Sequence, residues 1–195
     1  AQECVSGAAL VIFVVPSQTL RANVRAVKLC LAPGQVLVSA AKGLEEGTAC
    51  RMSQVLAEEV DASLHPGIAV LSGPNLSGEI LRGLPAATVV AAQDLSAARA
   101  VRSLLGNGRF RVEVTADVVG AEMGGALKNI VAIGAGLADG LGYGENAKAV
   151  FMARGLADMV RLAVACGGQQ DTLLGLAGLG DLLATCSSPL SRNHY

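Results

Sequence analysis

One amine stands in an apolar, small-residue run of this sequence. Lys128 lies within residues 124–136 and is the only lysine or arginine between Arg111 and Lys148. If the run forms a packed helix, the ammonium lies against apolar neighbours or in a cleft, and desolvation lowers the pKa of a lysine. Such an amine can give or take a proton near neutral pH. The alternative is a lysine whose stem is buried while its charge reaches water.

Three short polar or glycine-containing segments follow predicted strands, at residues 14–18, 40–45 and 72–75. The second places the Lys42 ammonium beside Gly43, and the third leads into a helix whose first N–H groups would face an anion. Ligands of open parallel sheets bind at the carboxyl ends of the strands, so the topology is expected to bring these segments together. Each segment taken alone is equally an ordinary turn.

The C-terminal part adds a carboxylate and a set of anion donors. Asp181 follows the glycine-rich residues 175–180 and is expected at a tight turn or a helix start, with a helix N-cap as its alternative role. Ser191, Arg192 and Asn193 supply a hydroxyl, a guanidinium and an amide, which together orient a phosphate. The same triplet is also common on protein surfaces.

Composition limits the classes of function. The 195 residues are 52% hydrophobic and 16% charged, which indicates a globular protein. The longest apolar stretches, residues 7–16 and 130–138, are too short to span a membrane and predict buried core elements. A net charge of -1 and 3% aromatic residues argue against a nucleic-acid partner. Five cysteines without a C-x-x-C pair, and only two histidines, predict no metal site or disulfide framework and favour the cytoplasm.

The elements that would position these groups change character near residue 116. Before it, short aliphatic runs alternate with amphipathic stretches, which predicts an α/β fold with a mostly parallel sheet of strands buried on both faces. The predicted strands are residues 10–15, 36–40, 68–71, 88–92 and 110–115. The predicted helices between them are residues 18–31, 48–60, 77–82 and 95–105, the last capped by Asp94 or Ser96. After it, only helices are predicted, at residues 118–137, 147–167 and 171–177.

Taken in order, seven strings resemble the bacterial-type NAD(P)-dependent glycerol-3-phosphate dehydrogenases. They are residues 14–17 (VVPS), 42–45 (KGLE), 71–74 (LSGP), 124–129 (GGALKN), 154–157 (RGLA), 175–181 (GLAGLGD) and 191–193 (SRN). The resemblance implies a partial doubly wound Rossmann-type parallel sheet followed by a partial all-α domain. Residues 1–116 would be the C-terminal part of the NAD(P)-binding domain, and residues 117–195 the N-terminal part of the α-helical substrate domain.

The same resemblance implies an activity and residue roles. The enzyme would reversibly reduce dihydroxyacetone phosphate to sn-glycerol 3-phosphate with NAD(P)H, supplying glycerophospholipid synthesis in the cytoplasm, and a homodimer is possible. Lys128 would transfer the proton. Besides Lys128, the substrate-binding positions would be Lys42, Gly73, Asn75, Asp181, Ser191, Arg192 and Asn193. Cofactor contacts fall on Lys42, Ser77 and Arg192, and no metal is implied.

Two features depart from the family pattern. Asn75, Leu76 and Ser77 stand where family members more usually carry Ser or Thr, then Phe, then Ala. No G-x-G-x-x-G string occurs in the 195 residues, although in the family this phosphate-binding turn precedes the strand at residues 10–15. We therefore expect an internal fragment that binds NAD(P)H weakly on its own.

Two other readings fit the residues. One is a related dehydrogenase acting on a hydroxy acid, because a guanidinium binds carboxylates as well as phosphates. The other is a non-catalytic helical interaction module, in which the small residues at 124–136 simply permit close helix packing. In that module nothing would require the charge of Lys128.

Overall fold

The computed structural model describes residues 2–187, and within them the chain forms one five-stranded sheet with strands in sequence order. The strands are β1 Leu10–Phe13, β2 Val36–Ser39, β3 Ile68–Ser72, β4 Ala86–Ala92 and β5 Phe110–Thr115. The pairs β1–β2, β2–β3 and β4–β5 are parallel, which confirms a mostly parallel sheet.

The pairing of β3 with β4 is antiparallel, so the expectation of a parallel sheet is wrong at this point. A parallel connection must carry the chain back across the face of the sheet, usually on a helix. The helix available between these strands, α4, covers only Ser77–Leu81 and is too short for that crossing. The sheet is therefore mixed, and β4 and β5 run opposite to the first three strands.

Helices flank the sheet and then continue as a helical half. The remaining helices are α1 Gln2–Val5, α2 Leu20–Val27, α3 Met52–Glu59, α5 Leu95–Leu105, α6 Val118–Gly140, α7 Gly144–Ala165, α8 Gln170–Leu174 and α9 Asp181–Ser187. The prediction for α5 is confirmed at both ends, and the Asp94 carboxylate accepts the Ser96 N–H at its start. The predicted helix over residues 171–177 is wrong in its second half, because a π-helical turn occupies Leu176–Gly180.

The sheet buries its two faces against different helices. Val11 and Leu37 pack with α2 and α3 on one face, and Val90 and Val112 pack with α5 on the other. Burial on both faces is wrong for β1, where Ile12 is 37% exposed. Leu10, on the same side of the strand, is only partly buried against the cluster that includes α5.

Helix α6 joins the sheet to the helical half. Its first turns pack on β3 and β4, where Ala121 contacts the cluster around Val70 and Val89, and its later turns pack on α7 and α9. By length and composition α6 alone among the described helices could cross a membrane, but 56% of that window is buried inside the protein, as in the core helix of a water-soluble protein. Lys128 lies midway along α6, where the two halves meet.

Candidate functional site

A cleft of about 940 Å³ lies at the carboxyl edge of β1, β2 and β3. Because these three strands are parallel, the segments that follow them meet at one edge, as the sequence predicted. Its sheet side is lined by Val14, Val15, Pro16, Ser17, Ala40, Ala41, Lys42, Asn75, Leu76 and Ser77, and its helical side by Lys128, Asn129 and Thr185.

A single buried carboxylate binds two lysines beside this cleft. Lys128 Nζ donates to Asp181 Oδ1 over 2.8 Å, and Lys42 Nζ donates to Asp181 Oδ2 over 2.5 Å. Asp181 is 2% exposed, so its charge is shielded from water. Each carboxylate oxygen therefore faces one ammonium, and with all three groups ionised the cluster carries a net positive charge.

Lys42 reaches the carboxylate from the loop after β2. Its Nζ also donates to the carbonyl oxygen of Gly73, 2.9 Å away in the loop after β3. Burial lowers the pKa of Lys42, the charge of Asp181 opposes that change, and the like charge of Lys128 adds to the lowering. The lysine thus joins two of the three loops predicted to meet.

Lys128 is held by a second group, the hydroxyl of Thr185. The ammonium donates to Thr185 Oγ1 over 2.6 Å, and this hydroxyl in turn donates to the Asp181 carbonyl oxygen over 2.7 Å. Lys128 is 8% exposed, so the alternative of a lysine reaching out to water is wrong. Its ammonium is oriented by fixed partners on α9 and lines the cleft.

Glycines allow the elements that carry the three charges to approach one another. A Cβ on Gly125 would lie 2.9 Å from Ser72 Oγ, closer than packed side chains permit, and 3.3 Å from Lys42 Cγ, an unusually tight contact. A Cβ on Gly124 would meet the Ala177 carbonyl oxygen in the π-helical turn before Asp181. The small residues next to Lys128 thus bring α6 against both the Lys42 loop and the turn that delivers Asp181.

Of the other residues predicted for the site, some lie at the cleft and some lie outside the described residues. Asn75 and Ser77 line the cleft, and Asn75 Nδ2 donates to Thr88 Oγ1 over 3.0 Å. Asp181 begins α9, which confirms the predicted helix start, while its carboxylate binds the two lysines. Ser191, Arg192 and Asn193 lie outside the described residues.

On the helical side of the cleft, two residues were not predicted as site residues. Asn129 follows Lys128 directly, which was the available signal, and Thr185 lies four residues after Asp181, one helical turn further along α9. In the part of the chain described, no group of three or more His, Cys, Asp or Glu side chains is arranged to hold a metal ion.

Family models match both halves of the chain. Residues 1–98 match the model described as NAD-dependent glycerol-3-phosphate dehydrogenase N-terminus, and residues 117–195 match the one described as its C-terminus.

Individual relatives agree with these matches. The chain is 50% identical over 194 residues to a glycerol-3-phosphate dehydrogenase [NAD(P)+] of Dehalococcoides mccartyi, covering 100% of this chain and 54% of that protein. It is 52% identical over 191 residues to the Thermobifida fusca enzyme of the same name, covering 98% and 56%. The chain thus spans about half the length of these relatives.

A solved structure has the same fold. The crystal structure of glycerol-3-phosphate dehydrogenase from Coxiella burnetii superposes with a TM-score of 0.89 at 37% identity, covering 96% of this chain and 57% of that one. Sequence and fold therefore agree over nearly the whole chain, which belongs to the NAD-dependent glycerol-3-phosphate dehydrogenase family.

Proposed function

We propose that the protein containing this chain reversibly reduces dihydroxyacetone phosphate to sn-glycerol 3-phosphate with NAD(P)H. The observation that carries the proposal is the Asp181 carboxylate with one lysine on each oxygen, at a cleft on the carboxyl edge of the sheet. Such an edge is where open α/β sheets bind their ligands. The excess positive charge suits a substrate that is anionic and also gains negative charge during the reaction.

Lys128 is the proton-transferring residue in this proposal. NAD or NADP, when bound, supplies hydride transfer. Negative charge then builds on the carbonyl oxygen of the ketone, and an ammonium beside that oxygen both stabilises the charge and delivers a proton. Asp181 and Thr185 hold Lys128 Nζ at a fixed position, so the ammonium is already oriented before the reaction begins. In the reverse direction the amine accepts the hydroxyl proton.

The substrate phosphate needs donors beyond the proton-transferring lysine. Lys42 contributes a second ammonium from the opposite wall of the cleft, and Gly73 and Asn75 belong to the adjoining loop. The resemblance adds Asp181 and the donors Ser191, Arg192 and Asn193. A hydroxyl, a guanidinium and an amide together suit the oxygens of a phosphate monoester.

The described residues fit the nicotinamide end of a dinucleotide. The wall formed by Val14, Val15 and Pro16 is apolar, and Val14 is 76% exposed, so a flat ring can pack there. Lys42 and Ser77 also line the cleft and are the proposed cofactor contacts, together with Arg192. The volume of the cleft, about 940 Å³, lies in the range of small-molecule sites.

The same proposal covers the domain to which each half of the chain belongs and the cellular compartment. Residues 1–116 are the C-terminal part of the NAD(P)-binding domain, and residues 117–195 are the N-terminal part of the substrate domain. The cysteines at 4, 30, 50, 166 and 186 are free thiols, which suits the reducing cytoplasm. The product carries the backbone of glycerophospholipids, so its supply to phospholipid synthesis is the proposed role.

A substrate comparison tests the proposed function. Oxidation of NADH and NADPH is followed by absorbance with dihydroxyacetone phosphate, dihydroxyacetone and a series of 2-keto acids. We expect turnover with the phosphorylated ketone and at least about a hundredfold lower kcat/KM with the others, because two charge-assisted contacts are lost. Preference for a keto acid would establish the hydroxy-acid alternative. Absence of turnover with every carbonyl compound would favour a non-catalytic module.

A further inference from the structure

A buried carboxylate lies on α6 outside the cleft. The side chain of Glu122 is 6% exposed. Its Oε1 accepts the Ser53 backbone N–H over 2.7 Å, and its Oε2 accepts the Ser53 hydroxyl and Arg51 Nη1, each over 2.6 Å. Both oxygens are thus satisfied by one short segment, as a buried charge requires.

The partners of Glu122 form the beginning of α3. Arg51 is the residue immediately before this helix, and the Ser53 N–H belongs to its first turn, where backbone donors have no partner within the helix. A carboxylate at this end also interacts favourably with the helix dipole. Glu122 therefore ties α6 to α3 across 69 residues of sequence.

The residues that bind Glu122 are also connected to the loop that carries Lys42. Arg51 pairs through its backbone with Leu44 in an antiparallel bridge, and Leu44 is two residues after Lys42. The Leu44 side chain packs against the cluster that includes Met123, the neighbour of Glu122 on α6. One end of the link therefore lies on the helix of Lys128, and the other lies next to the loop of Lys42.

Lys42 and Lys128 must keep a fixed position relative to each other because they bind the same carboxylate. Asp181 receives Lys42 at 2.5 Å and Lys128 at 2.8 Å, on separate oxygens. A shift of α6 relative to the Lys42 loop by about 1 Å would break one of these contacts, and misplacement of that size costs on the order of a hundredfold in rate. We propose that Glu122 is a positioning residue, which through Arg51 and Ser53 sets the placement of Lys42 relative to Lys128 for the reaction. This inference rests on the proposed function.

Glu59 provides a matched control. Its side chain is 7% exposed, and it accepts from Arg21 and Arg25 on α2, with Lys28 at 3.6 Å. It lies on α3 like the partners of Glu122, but its own ion-pair partners among the described residues lie on α2 and just after it, and none lies on α6. Glu59→Gln thus removes a carboxylate of equal burial without touching the link to α6.

The experiment compares Glu122→Gln, Arg51→Met, their double variant and Glu59→Gln in the full-length protein. For each, kcat and KM are measured with dihydroxyacetone phosphate and with NAD(P)H, well below the Tm of each variant. We expect Glu122→Gln to lower kcat about tenfold or more and to change KM for NAD(P)H less than twofold. Arg51→Met should add little in the Glu122→Gln background, and Glu59→Gln should retain kcat within twofold.

A Glu122→Gln protein with a lower Tm but wild-type kcat would overturn the positioning role, since a purely structural residue behaves in that way. An equal loss of kcat in Glu59→Gln would overturn it as well. If the wild-type protein does not reduce dihydroxyacetone phosphate, the proposed function fails first. A crystal structure of Glu122→Gln then decides the geometric claim: the claim holds if Asp181 loses one lysine and fails if both contacts persist.

Discussion

Two clusters of opposite charges in this molecule differ in how their charges balance. The first, called the surface cluster, lies on α2 and the residue after it, on α3 and in the loop after β2, and comprises Arg21, Arg25, Lys28, Glu45, Glu58 and Glu59. The second, called the cleft cluster, comprises Lys42, Lys128 and Asp181. The surface cluster has three cations for three carboxylates, whereas the cleft cluster has two cations for one.

The pKa is lowered in both clusters, but the change favours the charged form of the carboxylates and disfavours the charged form of the lysine. In the surface cluster, hydrogen bonds from Arg21 and then Thr48 lower the pKa of Glu45 to about 2, and those from Arg25 and Arg21 lower that of Glu59 to about 2. In the cleft cluster, burial lowers the pKa of Lys42, which disfavours its charged form. Balanced charges stabilise the fold, while a buried excess of one sign is costly unless a ligand of opposite sign arrives.

The largest expected effect comes from removing the single anion of the cleft cluster. Asp181→Asn leaves the buried Lys128 ammonium and the partly buried Lys42 ammonium without a counter-charge. We expect the free energy of unfolding to fall by about 3 kcal/mol. Turnover should fall about a thousandfold, because both lysines lose their orientation. Urea denaturation and steady-state kinetics measure the two effects, and wild-type stability in this variant would show that the clusters do not differ as described.

A smaller effect is expected when the cleft cluster loses its extra cation. Lys42→Met leaves Lys128 paired with Asp181 in a balanced buried pair. KM for dihydroxyacetone phosphate should rise about ten- to hundredfold, as expected for a lost charge-assisted hydrogen bond. Initial-rate measurements over a range of substrate concentrations test this. An unchanged KM would remove Lys42 from substrate binding.

The surface cluster should tolerate a comparable change. Arg21→Met breaks the contacts of a partly exposed guanidinium to three carboxylates, of which the buried Glu59 keeps its pair with Arg25, and pairs with exposed members contribute modestly. We expect calorimetry to show a Tm lower by about 2–4 °C, with kcat within about twofold of wild type. A loss of turnover as large as that of the cleft variants would contradict the separation of the two clusters.

The smallest effect is the acid dependence of stability. Glu45 and Glu59 have a folded-state pKa of about 2 against an ordinary value of 4.5, so the unfolded chain binds protons more tightly. Their contribution is complete above about pH 4.5 and is lost as the pH falls towards 2. Glu59→Gln should therefore lose less stability than wild type between pH 5 and pH 3 in urea titrations. Equal losses in the two proteins would refute this assignment.

The sequence predicts the elements of the fold better than their directions. Helix α5 and strand β5 were predicted to the residue, because cap, periodicity and flanking turns agree there. The antiparallel pairing of β3 and β4 was missed because a short aliphatic run such as Thr88 to Ala92 reads the same in either direction. Only the short α4 between them signals the change.

The residues of the site were likewise only partly predictable from the sequence. The loops after β1, β2 and β3 follow from topology, and Lys128 stands out by its apolar surroundings. The contact between Lys128 and Asp181 joins residues 53 apart and depends on packing that local patterns do not encode. Thr185 and Glu122 were not predicted because their hydrogen-bond partners, Lys128 and Ser53, are distant in sequence.

The central claim is that Lys128 transfers the proton, and single-turnover kinetics of Lys128→Met test it most directly. The rate of NAD(P)H oxidation with saturating dihydroxyacetone phosphate is measured beside the cofactor dissociation constant from fluorescence titration. We predict at least about a hundredfold loss of rate, typical of a missing general acid, with a dissociation constant within about twofold of wild type. A near-normal rate, with a stability equal to or above that of wild type, would contradict the account and favour a structural role for the helix.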